Sequence, residues 1–348
     1  MSAVLQTISE EKEKKIEDYP DLEISVVQRL QNLGIHSLVD LASKSPFQLV
    51  ESGKLDDEEA HQLIFDSLSL LHRSGWIRKR VVRASGLYQR RRKYLKRFST
   101  GSSSLDYLLF GGAESQAITE LYGEFSSGKT QICHTLSVIS QVRSEESSGD
   151  RKKVLYIDTE GTFRPQRLYQ IAETRGLDPE PVLENVLVAA VNNLAQFESV
   201  ISQLGKLVAE NRVQLIIVDS LIALYRAEFA GRGLISERQQ KLNRAISVLR
   251  NVAEATNSAV VVTNQILVKP NSNFFGDPVI PAGGNIMAHG TTYRIYLRKV
   301  GRERVAIVQD SPYHPKSEAR FCVSDQGCCD SPEEGQRTNH AGTFSVER

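Results

Sequence analysis

The residues Gly123-Glu124-Phe125-Ser126-Ser127-Gly128-Lys129-Thr130 match the phosphate-binding loop pattern G-x-x-x-x-G-K-[ST]. The apolar run 117–122 before them predicts a short strand, and residues 131–139 after them predict a helix. Glycines in such a loop let the backbone curl so that its N–H groups point at phosphate oxygens, and the helix N-terminus adds a dipole that favours anions. A chance glycine turn is disfavoured because a strand precedes the loop and a helix follows it. The stretch therefore predicts a nucleotide-binding α/β domain.

The last two residues of this loop have chemically distinct roles. Lys129 is expected to reach the β- and γ-phosphates, and the hydroxyl of Thr130 to hold Mg²⁺. We assign all eight residues of the loop, together with the following Gln131, to nucleotide binding. The expected ligands are ATP and Mg²⁺.

Polar side chains end three further apolar runs. Asp219 is expected to hold the water shell of the metal beside Thr130, and Glu160 to orient a water against the γ-phosphate. The amide of Gln265 can sense the phosphate state without adding charge. Because the carboxyl ends of parallel strands meet at one edge of a sheet, these groups are expected to converge there. Taken alone, Glu160 also fits a solvated loop acid, and the amide fits a turn cap.

Bulk properties fit an ordinary globular chain. The 348 residues are 40% hydrophobic and 24% charged, and this length allows roughly two domains. No apolar run is long enough for a membrane span, and the charged N-terminus does not resemble a secretory signal. The four cysteines follow no metal spacing and no disulfide framework, so we expect a reducing intracellular compartment.

The apolar pattern predicts an α/β fold with a doubly wound core and a small all-α N-terminal domain. Runs that predict the core strands are 117–122, 154–158, 185–190, 214–219 and 258–264, with helical periodicity between them. A C-terminal strand meander is predicted at 292–297, 305–309 and 320–323. The predicted units are a flexible N-terminus (1–15), a helical N-terminal domain (16–71), a basic linker (72–98), the core (99–325) and a disordered tail (326–348).

The segment from His72 to Arg97 carries eleven Lys or Arg residues and no Asp or Glu, although the net charge of the chain is only +1. Such a run can recruit nucleic acid or acidic partners, and it equally fits a solvated linker.

Taken together, the motifs from about residue 98 to residue 330 resemble the RecA-type recombinases of archaea and eukaryotes, and most closely the archaeal RadA branch. They include Ser99-Thr100-Gly101-Ser102, Asp158-Thr159-Glu160-Gly161-Thr162-Phe163-Arg164-Pro165, Gly231-Arg232-Gly233, Phe274-Phe275-Gly276-Asp277-Pro278 and Gly283-Gly284-Asn285. The resemblance implies a RecA-like doubly wound P-loop ATPase core, with a helix-hairpin-helix-like N-terminal domain.

The resemblance also implies a function. Members form filaments on single-stranded DNA, pair it with a homologous duplex and exchange strands, with ATP hydrolysis releasing the DNA. The expected partners are therefore single- and double-stranded DNA, further copies of the chain in a filament or ring, and recombination mediators, with no membrane. The expected location is intracellular, in the cytoplasm or at the nucleoid of an archaeon.

Individual roles carry over by position. Glu160 resembles the catalytic glutamate, acting with Lys129 and Gln265, and Arg167 resembles the residue that stacks on adenine. Gln265 and His289 resemble the γ-phosphate sensors. Residues Asp310 and Pro315 resemble the cap that a neighbouring subunit lays over the nucleotide.

Two segments, 223–238 and 269–290, are predicted as DNA-binding loops. Arginines bind phosphates without base preference and glycines allow close backbone approach, which suits a protein whose sequence recognition comes from base pairing. The residues assigned to DNA are Arg226, Arg232, Gly233, Arg238, Phe275, Gly283 and Gly284. A long loop such as 269–290 is usually functional, with a flexible surface excursion as the alternative.

The chain departs from the family pattern at three places. Ser126 stands where glycine is common, and we expect nucleotide binding to survive. The expected DNA-binding hairpins of the N-terminal domain lack the usual glycines, at residues 20–24, or are weak, at 53–56. The Phe-x-x-Ala polymerisation motif is replaced by a valine, at Val81 or Val82, which buries less area and weakens the contact by about 1 kcal/mol.

Two other classes of function remain open. A recombination mediator would bind ATP, DNA and a recombinase without exchanging strands, and the altered N-terminal and polymerisation motifs are compatible with it. A replicative helicase with a related core is disfavoured by the segment Arg164-Pro165-Gln166-Arg167 and by the single core behind a helical domain.

Overall fold

The computed structural model describes residues 15–18, 24–37, 40–41, 44–51, 55–73, 82–142, 153–268 and 279–331. The helices are α1 (Ile24–Asn32), α2 (Pro46–Glu51), α3 (Asp57–Arg73), α4 (Ala84–Tyr94), α5 (Ser103–Leu108), α6 (Lys129–Ile139), α7 (Pro165–Thr174), α8 (Pro179–Glu184), α9 (Leu194–Ser202), α10 (Leu204–Asn211), α11 (Ala223–Glu228), α12 (Ile235–Thr256) and α13 (Gly284–Gly290). The strands are β1 (Arg97–Phe98), β2 (Ala113–Glu114), β3 (Ile118–Gly123), β4 (Lys153–Asp158), β5 (Val186–Ala190), β6 (Val213–Asp219), β7 (Ala259–Asn264), β8 (Ile266–Val268), β9 (Val279–Pro281), β10 (Tyr293–Val300), β11 (Glu303–Asp310), β12 (Glu318–Ser324) and β13 (Gly327–Asp330).

In the described residues, the main sheet has nine strands in the order β13-β12-β11-β10-β3-β7-β6-β4-β5. The strands β10, β3, β7, β6, β4 and β5 are mutually parallel. The strands β10, β11, β12 and β13 form an antiparallel meander at one edge. The five predicted core strands are confirmed to within one residue at each end. Their β-branched apolar sequences fit because helices cover both faces of the parallel part of the sheet.

Two apolar clusters fill the two faces of the sheet. One contains side chains of α9, α10 and α12 packed on β4, β6 and β7, with Phe197, Leu249 and Val260 at its centre. The other packs α5 and α6 against the opposite face, around Leu136 and Tyr156. Every residue of β3 is buried, so the strand that leads into the phosphate loop lies at the middle of the core.

A buried ion pair holds β3 beside its neighbours. Glu120 is fully buried, and its carboxylate accepts hydrogen bonds from Nε of Arg294 on β10 (2.6 Å) and from Nδ2 of Asn264 on β7 (2.6 Å). Because removing one partner of a buried pair leaves an uncompensated charge, this network favours one register of the three strands.

The N-terminal helices α1 to α3 surround a separate apolar cluster that includes Ile16, Leu30 and Leu49. Among the described residues, polar contacts between this part and the core include Arg244 of α12, which lies 3.1 Å from the carboxylate of Glu51, and the ammonium of Lys44, which donates to the carbonyl of Ser202. Both predicted DNA-binding hairpin positions extend outside the described residues. Of the first, 20–24, most residues lie outside, and of the second, 53–56, part does.

The second half of the basic segment is structured and anchored to the core. Helix α4 and strand β1 occupy residues that the sequence assigns to a linker. The guanidinium groups of Arg91 and Arg97 lie 2.5 Å and 3.2 Å from the carboxylate of Glu114, which is only 3% exposed. The described part of the predicted linker, 82–98, therefore contains a helix and a strand, and two of its charges pair with a buried acid.

Other boundaries also need correction. The tail predicted from residue 326 is wrong at 327–330, which form β13 against β12, while residues 332–348 lie outside the description. Lys15, assigned to the flexible N-terminus, forms a β-bridge with Ser37. The two predicted DNA loops contain α11, the first turns of α12, β9 and α13, because their apolar residues find partners in the core.

Among the described residues, no helix combines the length and the apolar character needed to cross a lipid bilayer.

Candidate nucleotide-binding site

A cavity of about 710 Å³ lies at the carboxyl ends of β3, β4, β6 and β7. Its size suits a nucleotide. The lining includes the whole predicted phosphate loop, Gln131, Glu160, Arg167, Asp219 and Gln265, with His134, Thr162, Arg164, Thr263, Ile266 and Arg304. The four separate strand ends singled out in the sequence therefore converge on one cavity.

The phosphate loop is held tightly against the sheet. At Gly123 (φ 159°) an added Cβ would lie 2.0 Å from the carbonyl oxygen of Leu297, so only glycine fits there. Helix α6 begins directly after Gly128, which directs its N-terminus at the loop. Ser126 adopts φ 62°, a left-handed conformation that favours glycine, so the serine at this position carries backbone strain.

Lys129 folds back over the loop. Its Nζ donates to the carbonyls of Gly123 (2.9 Å) and Glu124 (2.7 Å). The pKa of Lys129 is lowered because burial disfavours the charged ammonium. The nearby carboxylates of Asp219 and Glu160 act in the opposite direction but do not outweigh the effect of burial. A phosphate in the loop would supply negative oxygens in place of the two carbonyls, and it would favour the charged ammonium.

Asp219 and Thr130, the two predicted metal ligands, are brought together. Asp219 is 2% exposed, and its carboxylate accepts hydrogen bonds from the hydroxyls of Tyr156 (2.8 Å), Thr263 and Thr130. Burial raises the pKa of Asp219, against the effect of these hydroxyl donors. A hydroxyl, a carboxylate and phosphate oxygens are hard ligands of the kind that Mg²⁺ prefers, so the residues fit the ion.

The catalytic candidates are joined by hydrogen bonds. Oε1 of Glu160 accepts from the Ser220 hydroxyl (2.6 Å) and from Nε2 of Gln265 (2.8 Å). Oε1 of Gln265 in turn accepts from Nη1 of Arg226 on α11 (2.9 Å). A continuous path therefore runs from a predicted DNA-binding arginine to the predicted catalytic carboxylate. Sequence reasoning missed Ser220, which no motif distinguishes from any serine after a strand.

Arg167 lies on the other side of the cavity, on α7. Its Nε donates to the side-chain oxygen of Gln131 (2.9 Å), and its two terminal nitrogens donate to the carbonyls of Ser324 and Asp325. These carbonyls belong to the turn between β12 and β13, so the position of Arg167 depends on that hairpin.

Three predicted nucleotide residues do not line the cavity. His289, Asp310 and Pro315 are exposed, on α13, at the end of β11 and in the segment after it. For Asp310 and Pro315, exposure is what the predicted cap over a neighbouring nucleotide requires, whereas His289, predicted as a γ-phosphate sensor, does not line the cavity of its own chain.

The described residues that are predicted to bind DNA lie on or beside α11, α12 and α13, with Arg226 on α11. Gly283 and Gly284 begin α13, and a Cβ at Gly283 would lie 2.5 Å from Met287, so glycine is required there. Arg232 and Gly233 form part of a 3-10 turn directly before α12, and Arg238 lies in the first turn of α12. Phe275 lies outside the described residues.

Sequence reasoning also missed two basic groups of the cavity. His134 is 1% exposed between the rings of Tyr156 and Phe163, and burial lowers its pKa to about 4, so it is neutral near pH 7. Arg304 reaches the cavity from β11 and donates to the carbonyl of Arg302 (2.9 Å). Its contribution depends on the pairing of β11 with β10, which local patterns do not reveal.

The sheet order, the phosphate loop and the converging acids define a phosphate-loop nucleotide-binding protein with a RecA-like core. The comparisons with known proteins agree. A family model described as Rad51 matches residues 91–331. The chain is 43% identical over 307 residues to the DNA repair and recombination protein RadA of Cenarchaeum symbiosum (strain A), an alignment that covers 88% of this chain and 76% of that relative. The chain belongs to the Rad51 family.

Proposed function

We propose that the protein is a DNA-dependent ATPase that forms filaments on single-stranded DNA and catalyses homologous pairing and strand exchange in recombinational repair. The name of the RadA relative and the family match support this function. The observation that carries the proposal is the hydrogen-bonded path from Arg226 through Gln265 to Glu160, because it joins the predicted DNA-binding segment to the predicted catalytic carboxylate. The proposed place of action is where the cell keeps its DNA, at the nucleoid.

In the proposed mechanism, the loop N–H groups and Lys129 bind the phosphates of ATP. Lys129 exchanges its bonds to the carbonyls of Gly123 and Glu124 for bonds to phosphate oxygens. Thr130 and Asp219 would hold Mg²⁺, and the bound ion would neutralise the phosphate charge that builds up in the transition state. The guanidinium of Arg167 covers the adenine.

Glu160 orients the attacking water. The hydrogen bonds from Ser220 and Gln265 both use Oε1 of Glu160, so Oε2 is the oxygen that accepts a proton from water within the cavity. Ser220 and Gln265 fix the carboxylate in this orientation. Positioning of this kind supplies most of the catalysis in phosphoryl transfer.

DNA acts on this site through Arg226. A DNA phosphate competes with Oε1 of Gln265 for the guanidinium, and phosphate is the stronger partner because it is charged. When Arg226 no longer holds Gln265, the amide of Gln265 can bind the γ-phosphate, and the carboxylate of Glu160, to which it donates, changes its orientation. His289, Asp310 and Pro315 of a neighbouring copy complete the nucleotide site, so filament formation and turnover are linked.

The test is ATP turnover with and without single-stranded DNA, for the unaltered protein and for Lys129→Ala and Glu160→Gln. DNA-stimulated turnover that both substitutions abolish supports the proposal. ATP binding without DNA-stimulated turnover overturns it and favours a recombination mediator, the reading that the valine in the polymerisation motif also fits. Strand transfer between a labelled duplex and a homologous single strand separates a recombinase from a DNA-dependent ATPase of another kind.

Two arginine variants test the path. Arg226→Ala is expected to keep basal turnover but to lose DNA stimulation even at saturating DNA. Arg238→Ala serves as the matched control, since it removes a predicted phosphate contact without touching Gln265. Saturating DNA should restore its stimulation, because only affinity is reduced.

A further inference from the structure

Two half-buried cysteines face each other on the hairpin formed by β12 and β13, whose backbone carbonyls at Ser324 and Asp325 accept hydrogen bonds from Arg167. Cys322 of β12 and Cys329 of β13 are directly opposite in the antiparallel register. The Sγ of Cys329 lies 3.4 Å from the Ser324 hydroxyl, on the same face of the hairpin. Directly opposite residues have Cα atoms about 4.5–5.5 Å apart, which lies within the range of disulfides, roughly 4.4–6.8 Å.

The other two cysteines are different. Cys133 and Cys328 are fully buried in the core. Burial raises the pKa of both and also that of Cys322, so exposure, and not the pKa, distinguishes the pair at 322 and 329. Oxidants reach exposed thiols in preference to buried ones. The pair at 322 and 329 is therefore the accessible dithiol of the described residues.

The hairpin is bound to the nucleotide site through its backbone. Arg167 donates to the carbonyls of Ser324 and Asp325. Arg175, directly after α7, donates to the carbonyls of Gln326 (2.7 Å) and Cys328 (2.6 Å). Thr135 of α6 accepts from the N–H of Cys328 (2.9 Å). A change in the twist of the hairpin must therefore move acceptors that hold Arg167.

We propose that Cys322 and Cys329 are a site of oxidative modification, where a hydroperoxide forms a disulfide across the hairpin and thereby weakens ATP binding through Arg167. One thiolate attacks the peroxide, so that the O–O bond breaks, a sulfenic acid forms and water or an alcohol leaves. The second thiol attacks that sulfur, the S–S bond forms and a water molecule leaves with the remaining oxygen. The two cysteines together lose two electrons and two protons to the peroxide.

The disulfide changes the hairpin because it is shorter than the contact that it replaces. Cβ atoms of opposite residues are about 4.5–5.5 Å apart, whereas a disulfide holds them at roughly 3.8 Å. Closing this gap twists the two strands and displaces the turn between them. A strained, accessible disulfide of this kind is readily reduced, so the modification is reversible.

The experiment treats the full chain with hydrogen peroxide and then with dithiothreitol. Mass spectrometry after cleavage at Asp325 identifies the crosslink, because the two fragments stay joined and the pair has lost two hydrogen atoms. Calorimetry then measures ATP affinity, which is expected to fall about tenfold on oxidation, the value of one charge-assisted hydrogen bond, and to return on reduction.

Variants make the result specific. Cys322→Ser and Cys329→Ser should each abolish the crosslink and keep full ATP affinity after peroxide, whereas Cys328→Ser should behave like the unaltered protein. A crosslink between other cysteines, no crosslink, or a 322–329 crosslink without a change in affinity overturns the inference. The effect on ATP affinity rests on the proposed nucleotide site. If the reduced protein does not bind ATP, the proposed function fails, whereas the 322–329 crosslink can still be measured.

Discussion

The two halves of the nucleotide site are built in different ways. The phosphate side, with Lys129, Thr130, Asp219 and Glu160, is enclosed by the parallel strands of one chain. The capping side, with His289, Asp310 and Pro315, lies on exposed surface. We therefore expect a single copy to bind a nucleotide and complete catalysis to need the surface of a second copy.

The first prediction tests this division by complementation. His289→Ala and Lys129→Ala should each lower DNA-stimulated turnover by about a hundredfold, because each removes stabilisation of the transferred phosphate. When the two variants are mixed in equal amounts, about a quarter of the interfaces combine an intact loop with an intact cap, since a head-to-tail interface joins unlike surfaces. Turnover of the mixture should recover accordingly.

The recovery is measured as ATP hydrolysis against the fraction of each variant. A mixture of two Lys129→Ala preparations is the control. If unlike variants show only the sum of their separate activities, each active site is contained within one chain.

The second prediction concerns Glu114, which organises the capping surface. Its carboxylate accepts from the hydroxyls of Tyr293 (2.9 Å) and Tyr313 (2.9 Å), and it pairs with Arg91 of α4. Glu114→Ala leaves the arginines without their buried partner and should reduce the free energy of unfolding by about 3 kcal/mol. Chemical denaturation measures this loss.

Glu114→Ala also tests whether the two halves of the nucleotide site can be affected independently. ATP affinity of the dilute protein should be preserved, while turnover that depends on assembly falls. The double variant Arg91→Ala with Arg97→Ala is the matched comparison, because it removes the same ion pairs from the exposed side. Equal loss of ATP binding and of assembly in Glu114→Ala would contradict a division into two halves.

The third prediction sharpens the description of the assembly contact. Val82 is 44% exposed just before α4, and Val81 precedes it outside the described residues. If Val81-Val82-Arg83-Ala84 is the polymerisation motif, Val81→Phe should strengthen assembly by about 1 kcal/mol, roughly fivefold in concentration. Val82→Phe tests the alternative register. Sedimentation without DNA measures both, and no gain from either variant excludes this segment as the contact.

The smallest effect is expected on the enclosed side. Ser126→Gly removes the strain of a left-handed serine, worth about 1 kcal/mol, and part of this gain is offset by the greater freedom of glycine in the unfolded chain. The thermal midpoint should rise slightly, with unchanged ATP turnover. Gly128→Ala is the opposing control, because its φ is 105° and the added Cβ meets Phe321 at 3.3 Å, so its midpoint should fall.

Much of the fold could be predicted because its signals are local. The five predicted core strands are continuous apolar runs, and β4, β6 and β7 end at or just before Glu160, Asp219 and Gln265, which line the cavity. The phosphate loop depends on glycines at fixed spacing, which a pattern detects without any structure. The convergence of these residues followed from the shared direction of parallel strands.

The predictions failed where a local pattern has no access to a distant partner. The basic segment resembled a solvated linker because its charges have no acids near them in sequence, yet Glu114 binds two of them from inside the core. The polar residues after 325 resembled a disordered tail, but β13 is paired to β12 and bound by Arg175. Long-range pairing decided both cases.

The sequence by itself determined the phosphate loop, the order of strands and helices and the family, because glycine spacing and apolar periodicity are properties of short segments. Only the tertiary structure decided that Arg226, Gln265 and Glu160 form one hydrogen-bonded path and that Cys322 faces Cys329. It alone also separated the enclosed phosphate side from the exposed cap. These relations depend on strand register and on burial, and both are set by contacts between residues far apart in the chain.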